Sequence, residues 1–161
     1  MIEKRRKKIE ALKYTMTFLL VVYLMLLLLY SSGSSKAFDK VAKKFESGVT
    51  SDALKKQSEQ AVKRYYGLNS ADFEGVLLYT SKDSISPEEI LMVKTKNDRQ
   101  IKFVRDAIWK RVESRKDSFE NIAPEQLKVL DKAQIAVRGR YVFFVVSPEA
   151  KTYSTLFTNS L

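Results

Sequence analysis

Residues 14–35 carry no charge, and they follow thirteen residues holding six Lys or Arg and two Glu. The centre of the run is Phe18, Leu19, Leu20, Val21, Val22, Tyr23, Leu24, Met25 and Leu26 to Leu29. A bilayer core about 30 Å thick needs roughly 20 helical residues, and this run supplies them. Its seven leucines, at about −0.5 kcal/mol each, favour insertion by roughly 3–4 kcal/mol. Tyr14 and Tyr30 stand at the ends, where amphipathic rings prefer the headgroup level. A helix apolar on every side suits lipid better than the core of a small domain. The expected layout is a basic cytoplasmic tail over 1–13 and a transmembrane signal-anchor helix over 14–32. The Lys/Arg excess keeps the N-terminus in the cytoplasm and places the chain after residue 35 outside.

A cleaved signal peptide is the alternative, since Ser31, Ser32, Gly33 and Ser34 are small. Against it, the apolar run exceeds the usual span of about 7–15 residues and no Ala-x-Ala follows. The expected location is a single-pass bacterial cell-membrane protein with its C-terminal domain outside; the alternative is secretion after cleavage. The basic tail could also serve as a cytoplasmic handle for a membrane complex.

The chain has neither Cys nor His. That excludes disulfides, thiol nucleophiles, Cys/His zinc sites, Ser-His-Asp triads and imidazole acid–base chemistry. Carboxylates, Lys, Tyr, Ser and Thr are the remaining catalytic groups, and only oxygen ligands are left for a hard cation. No catalytic residue, metal site or cofactor is predicted.

Residues 33–67 read as a linker and two helices that form a stalk, or a cover on the domain. Ser31, Ser32, Gly33, Ser34 and Ser35 have linker composition. Phe38, Val41, Ala42 and Phe45 then follow i, i+3, i+4, i+7, a helical stripe that Gly48 can end. A second helix is expected from Thr50 or Ser51, with Leu54, Ala61, Val62 and Tyr65 on its apolar face and Gly67 as its stop.

Residues 68–161 read as an extracytoplasmic domain. Strands are expected over 73–80 and 89–95, then a long amphipathic helix over 98–119. Ile101, Val104, Ile108 and Val112 form its buried stripe, flanked by Phe103, Phe119 and Trp109, the last also expected in the core. A short helical turn over 124–130 precedes a hairpin, 134–137 with 141–146, around Arg138, Gly139 and Arg140. A last helix runs from 147 or 148 to about 157. The order αα-ββ-α-ββ-α, with short connections, makes the strands antiparallel. The fold class is α+β, a four-stranded antiparallel sheet covered by one long helix. Phe143, Phe144 and the valines around them are apolar on both faces, as a central strand is; an edge awaiting a partner strand is the other reading.

Several short motifs resemble the domain of unknown function 4358 family: Tyr65, Tyr66, Gly67 and Leu68; Glu89 and Ile90; Arg111; Ser118 and Phe119; Pro124, Glu125 and Gln126; and Gly139, Arg140, Tyr141 and Val142. The resemblance covers about two thirds of the chain. It implies a small extracytoplasmic domain carried by a lipoprotein signal or single membrane helix in Gram-positive anaerobes, and implies no activity. This chain departs in lacking a lipobox Cys, so its anchor must be the helix.

The candidate anion- or partner-binding residues are Glu89, Arg111, Arg115, Arg138 and Arg140. A strand carboxylate at Glu89 meeting the Arg111 guanidinium is either an internal tether or an anchor for a carboxylate- or phosphate-bearing ligand. Glu88 and Glu89 are adjacent on a strand and face opposite ways, so they cannot form a catalytic pair. The long helix is rich in bases: Arg99, Lys102, Arg105, Lys110, Arg111, Arg115 and Lys116, interrupted by Asp98, Asp106, Glu113 and Asp117. A basic face outside the membrane attracts anionic lipid headgroups or wall polymers, while a merely solvating surface has the same mixed charge. Nucleic acid is disfavoured by the expected side of the membrane. The reading is a non-catalytic binding or assembly module of the cell envelope, whose partner is another envelope protein or an anionic surface. The alternative is a hydrolase using carboxylate, Ser or Lys groups.

Overall fold

The computed structural model describes residues 2–31, 36–120 and 122–161, and within the first helix the side chains of residues 10 and 12–26. The chain divides into two compact units, Met1–Gly33 and Ser34–Leu161. The linker residues 32–35, and with them the candidate cleavage point, lie outside the described residues.

The first unit is one helix, α1 (Ile2–Ser31). Thr15 and Thr17 turn their hydroxyls back onto the carbonyls of Leu12 and Lys13, which hides polar groups along an apolar rod. Among the described residues no helix is long and apolar enough to cross a membrane.

The second unit is a mixed α+β domain with a five-stranded antiparallel sheet. After α2 (Phe38–Glu46) come β1 (Leu54–Lys56), α3 (Glu59–Tyr66), β2 (Gly75–Ser81), β3 (Glu89–Lys94), α4 (Arg99–Glu120), α5 (Pro124–Leu130), β4 (Gln134–Arg138), β5 (Tyr141–Val146) and α6 (Ala150–Ser160). The strand order is β1-β2-β3-β5-β4.

Alternation along the strands explains the layers. Leu91 and Val93 of β3, with Val142, Phe144 and Val146 of β5, face one side, where Val104, Ile108, Val112 and Phe119 of α4 and Ala61, Val62 and Tyr66 of α3 cover them. Ile90, Met92, Tyr141, Phe143 and Val145 face the other side, against Val41, Ala42 and Phe45 of α2 and Tyr153 and Phe157 of α6. Phe143 and Phe157 stack with centroids 4.5 Å apart. All six residues of both β3 and β5 are buried, as befits strands covered on both faces.

Several expectations are corrected. The sheet has five strands, and helices cover both faces rather than one. Of the stalk or cover expected from residues 33–67, the described part is a cover: α2 lies on the second face, and β1 and α3 add to the sheet and the first core. The expected helix starting at 50 or 51 begins only at Glu59. Leu54 belongs to a strand and packs in the second core, whereas Ala61 and Val62 pack in the first. Their helical spacing is coincidental, because one helix face cannot feed two cores on opposite sides of a sheet. Within that helix Tyr66, not Tyr65, is the buried ring.

Trp109 is a further correction: it is 49% exposed on the outer surface of α4, and Phe103 is exposed there too. The stripe of Val104, Ile108 and Val112 faces the sheet, and both rings lie beyond it. Phe143 and Phe144 fit the leading expectation. β5 lies between β3 and β4, so the edge reading fails for it and the central-strand reading holds.

Candidate functional site

Glu89 opens β3, two residues before Leu91, so its side chain turns to the α4 side of the sheet. There it is 3% exposed. Arg111 reaches it from α4, with Nη2 donating to Oε2 at 3.0 Å and Nε shared between the two oxygens at 3.3 and 3.4 Å. The hydroxyl of Tyr66, from the end of α3, donates to Oε1 at 2.5 Å. Gly67 fixes that helix end: its φ of 70° is the left-handed stop, and its N–H donates to the Lys63 carbonyl at 2.9 Å. Burial, then the adjacent carboxylate charge, holds the Tyr66 phenol well above its usual 10.0, so the ring stays a neutral donor. One carboxylate therefore joins β3, α3 and α4. This is the geometry of an internal tether.

Arg115 lies one turn beyond Arg111. Its Nη2 donates to the Ser86 carbonyl at 3.1 Å, and its guanidinium sits 4.4 Å from the Phe119 ring centroid. Its Nε is buried with no hydrogen-bond acceptor among the described residues. Burial first, and the Arg111 charge second, push its pKa down. Arg111 and Arg115 share a cleft of about 250 Å³ with Tyr65, Ser81, Asp83, Ser84 and Ser86. Glu88 turns the other way and accepts from Ser147 Oγ at 2.8 Å.

Beside this cleft, between α3 and α4, lies a second of about 320 Å³ lined by Lys63, Arg64, Tyr65, Tyr66, Gly67, Ala107, Lys110, Arg111 and Ser114. Four of those side chains are basic and none is acidic. Tyr65 is its aromatic wall, with the guanidinium carbons of Arg64 and Arg111 at 4.8 and 4.6 Å from its centroid. Arg64 also donates to the Tyr65 hydroxyl at 3.0 Å. Two flat cations are thus ordered against one ring, with Lys63 and Lys110 beside them on the lining.

Arg138 and Arg140 are elsewhere. Glu89 pairs with Val146 while Lys94 pairs with Tyr141, so the hairpin tip lies at the far end of the sheet, about 17 Å along β3 at roughly 3.3 Å per residue. Arg140 Nη1 bonds Glu74 Oε1 at 2.6 Å and the Lys96 carbonyl at 2.9 Å. Arg138 Nη1 donates to the Val137 carbonyl at 3.0 Å. The structure thus gathers Glu89, Arg111 and Arg115 and leaves Arg138 and Arg140 out of that cluster. Lys63 and Arg64 were missed by the sequence reading, and Lys110 was read only as part of a basic face. Helical spacing in α3 places its two bases on the outside but does not say that its C-terminal turn lands against the middle of α4. Among the described residues no group of acids is arranged to hold a metal ion.

The family described as a domain of unknown function (DUF4358) matches residues 46–147, more than half of the 161. The chain belongs to this family. The DUF4358 segment runs from the last residue of α2 through β5, so it takes in all five strands and every residue of both clefts. No curated protein and no solved structure matches the chain.

Proposed function

We propose that this DUF4358 chain is a membrane-anchored, non-catalytic binding module of the cell envelope, and that its cleft between α3 and α4 holds a phosphodiester-type anion. The observation that carries the binding reading is the lining of that cleft: four bases, one ordered aromatic wall and no carboxylate. Polyanions with a charge every few ångströms fit such a row of donors. A non-catalytic role is favoured because Glu89, the carboxylate nearest the cleft, has both oxygens engaged by Tyr66 and Arg111 rather than turned to a substrate.

Anchoring rests on α1. Leu12, Tyr14, Met16, Phe18, Leu19, Leu20, Val21, Tyr23, Leu24, Met25 and Leu26 are each at least 50% exposed, and they point all round the helix. Lipid is the medium that covers such a rod. The described side chains end at residue 26, whereas the uncharged run of the sequence continues to 35, the length a span needs. The six bases ahead of it retain the N-terminus in the cytoplasm, and the domain stands outside.

The test is binding of a synthetic glycerol-phosphate decamer to the full chain in uncharged detergent, followed by calorimetry. The triple substitution Lys63→Ala, Arg64→Ala, Lys110→Ala is expected to weaken binding at least tenfold, and a Lys132→Ala, Lys151→Ala control to leave it unchanged. Equal loss in both variants would mean that general positive charge, not the cleft, captures the anion. Phosphatidylglycerol vesicles form a second arm: binding to vesicles but not to the decamer would assign the phosphate to a lipid headgroup.

A further inference from the structure

The sheet is incomplete along half of one edge. β1 pairs only with the far end of β2, Leu54 with Ser81, Lys55 with Thr80 and Lys56 with Tyr79. One more bond follows, from the Gln57 N–H to the Leu78 carbonyl at 2.8 Å, and the chain then turns away into α3 at Glu59. Gly75, Val76 and Leu77 are left with no strand on that side.

The register shows which groups this leaves open. In the β2–β3 ladder Leu77 pairs with Met92 and Tyr79 with Ile90, and Ser81 N–H donates to the Glu88 carbonyl, so odd-numbered residues of β2 exchange their bonds with β3. Even-numbered residues point to the β1 side, as the Leu78 carbonyl does. Val76 is even-numbered, so its N–H and C=O both face the open edge and have no backbone partner among the described residues.

That edge is the floor of a groove of about 550 Å³. Its walls are α2, with Phe38, Asp39, Ala42, Lys43 and Glu46, and the start of α3, with Ser58, Glu59 and Val62. Gly75 sets the width: a Cβ there would lie 2.1 Å from the Phe38 ring, so only glycine lets that ring lie flat on the strand. The uncovered edge, Gly75 to Leu77, is three residues, roughly 10 Å of extended chain.

We infer that this groove receives an extended segment of a partner protein, which adds a strand to β2 between α2 and α3. The lining states the chemistry of the segment. On the first-core side its side chains meet Val62 and the carboxylate of Glu59; on the second-core side they meet Phe38, Ala42 and the carboxylate of Asp39. Glu46 is held by Lys56, and Glu74 by Lys94 and Arg140. Asp39 and Glu59, one on each wall, make no ion pair or side-chain hydrogen bond among the described residues, and Lys43 is the unpaired cation of the groove's own lining. A strand turns successive side chains to opposite walls, so the segment is one that offers a Lys or Arg and a small apolar residue on each face, its sequence running in pairs such as Lys-Lys-Val-Val. On a domain that carries +6 of the chain's formal +10, this groove is where a basic strand is welcome. The inference is independent of the anion cleft, whose residues it does not use.

The experiment follows amide exchange at Val76 by NMR on the full chain in uncharged detergent, with the peptide acetyl-Lys-Lys-Val-Val-Lys-Lys-Val-amide as probe. In the free protein Val76 exchanges at least tenfold faster than Leu77. Saturating peptide slows Val76 at least tenfold, and Glu59→Gln raises the peptide concentration needed by about threefold. A second peptide, methylated on every backbone nitrogen, keeps the charge but offers no N–H on either edge and cannot extend a ladder; it leaves Val76 unprotected. Three results overturn the inference: Val76 already protected without peptide, no protection at saturation, or equal protection by the methylated peptide.

Discussion

Arg111→Ala tests the tether that places the candidate site. The substitution leaves Glu89, 3% exposed, with Tyr66 as its sole remaining partner. Breaking a buried pair by removing one member costs about 3–5 kcal/mol, because the uncompensated charge stays desolvated. The side chain of Arg111 is itself only 16% exposed against 4% for Glu89, so solvent does little to replace the guanidinium. For a unit of this size each kcal/mol shifts the midpoint by roughly 3–4 °C, so Tm falls by about 10–20 °C. Tyr66→Phe removes one charge-assisted hydrogen bond and costs less, about 1.5–3 kcal/mol. The assay is urea unfolding of each single variant and the double, followed by far-ultraviolet circular dichroism with α1 held in detergent. Because Tyr66 and Arg111 share one carboxylate, the double-variant loss departs from the sum of the singles by at least about 0.5 kcal/mol. A loss below about 1 kcal/mol for Arg111→Ala, the range of exposed pairs, would refute the reasoning that Glu89 is a buried charge.

Further outcomes follow from the same geometry. The Tyr79 and Tyr141 phenols are both pushed up to about 12, chiefly by burial, and Tyr66 is raised as well. Groups raised in the folded state contribute stability that is complete below their unfolded value near 10.0 and lost as pH rises toward 12, so urea midpoints should fall across that window while tyrosine absorbance at 295 nm titrates late. Glu74 moves the other way: the hydrogen bond from Lys94, with the Lys94 and Arg140 charges, holds it below 4.5, and its contribution is present above 4.5 and lost as pH falls below it. Neutralising it as Glu74→Gln should flatten the acid limb of the stability profile. Gly75→Ala drives a methyl into the Phe38 ring and should cost about 1–3 kcal/mol, measured by thermal melting. Trp109, the single tryptophan, should be quenched readily by iodide, and Trp109→Ser should change stability by less than about 0.5 kcal/mol.

Much of the domain is legible in the sequence where one signal has one cause. The hairpin of β4 and β5 follows from Gly139 between two arginines, and α5 from Pro124 at its first turn. The long helix reads from Val104, Ile108 and Val112; Asn97 and Asp98 both offer a cap at its start, and it is the Asn97 side chain that accepts the Gln100 N–H at 3.3 Å. The readings fail where tertiary structure decides. Leu54 keeps helical register with Ala61 by accident, and the three-residue β1 exists only because β2 offers it an edge. The stripe of Val41, Ala42 and Phe45 announces a buried helix face but not what buries it; the second face of the sheet does. The Glu89–Arg111 contact was legible because a lone acid opens an otherwise apolar strand. The basic cleft was not, because Lys63 and Lys110 meet only through the docking of α3 on α4.

The proposed anchored, outward-facing arrangement would decide which anions and which strands can reach the domain. It is tested most directly by shaving intact cells with external protease, fractionating the membranes and weighing the surviving protein. The account predicts full-length chain, 18.5 kDa, in the membrane fraction before treatment, and a protected fragment holding residues 1–31 with the domain gone afterwards. A chain beginning near Ser34 in the medium, or an intact membrane-bound chain that resists the protease until the cells are opened, would contradict it.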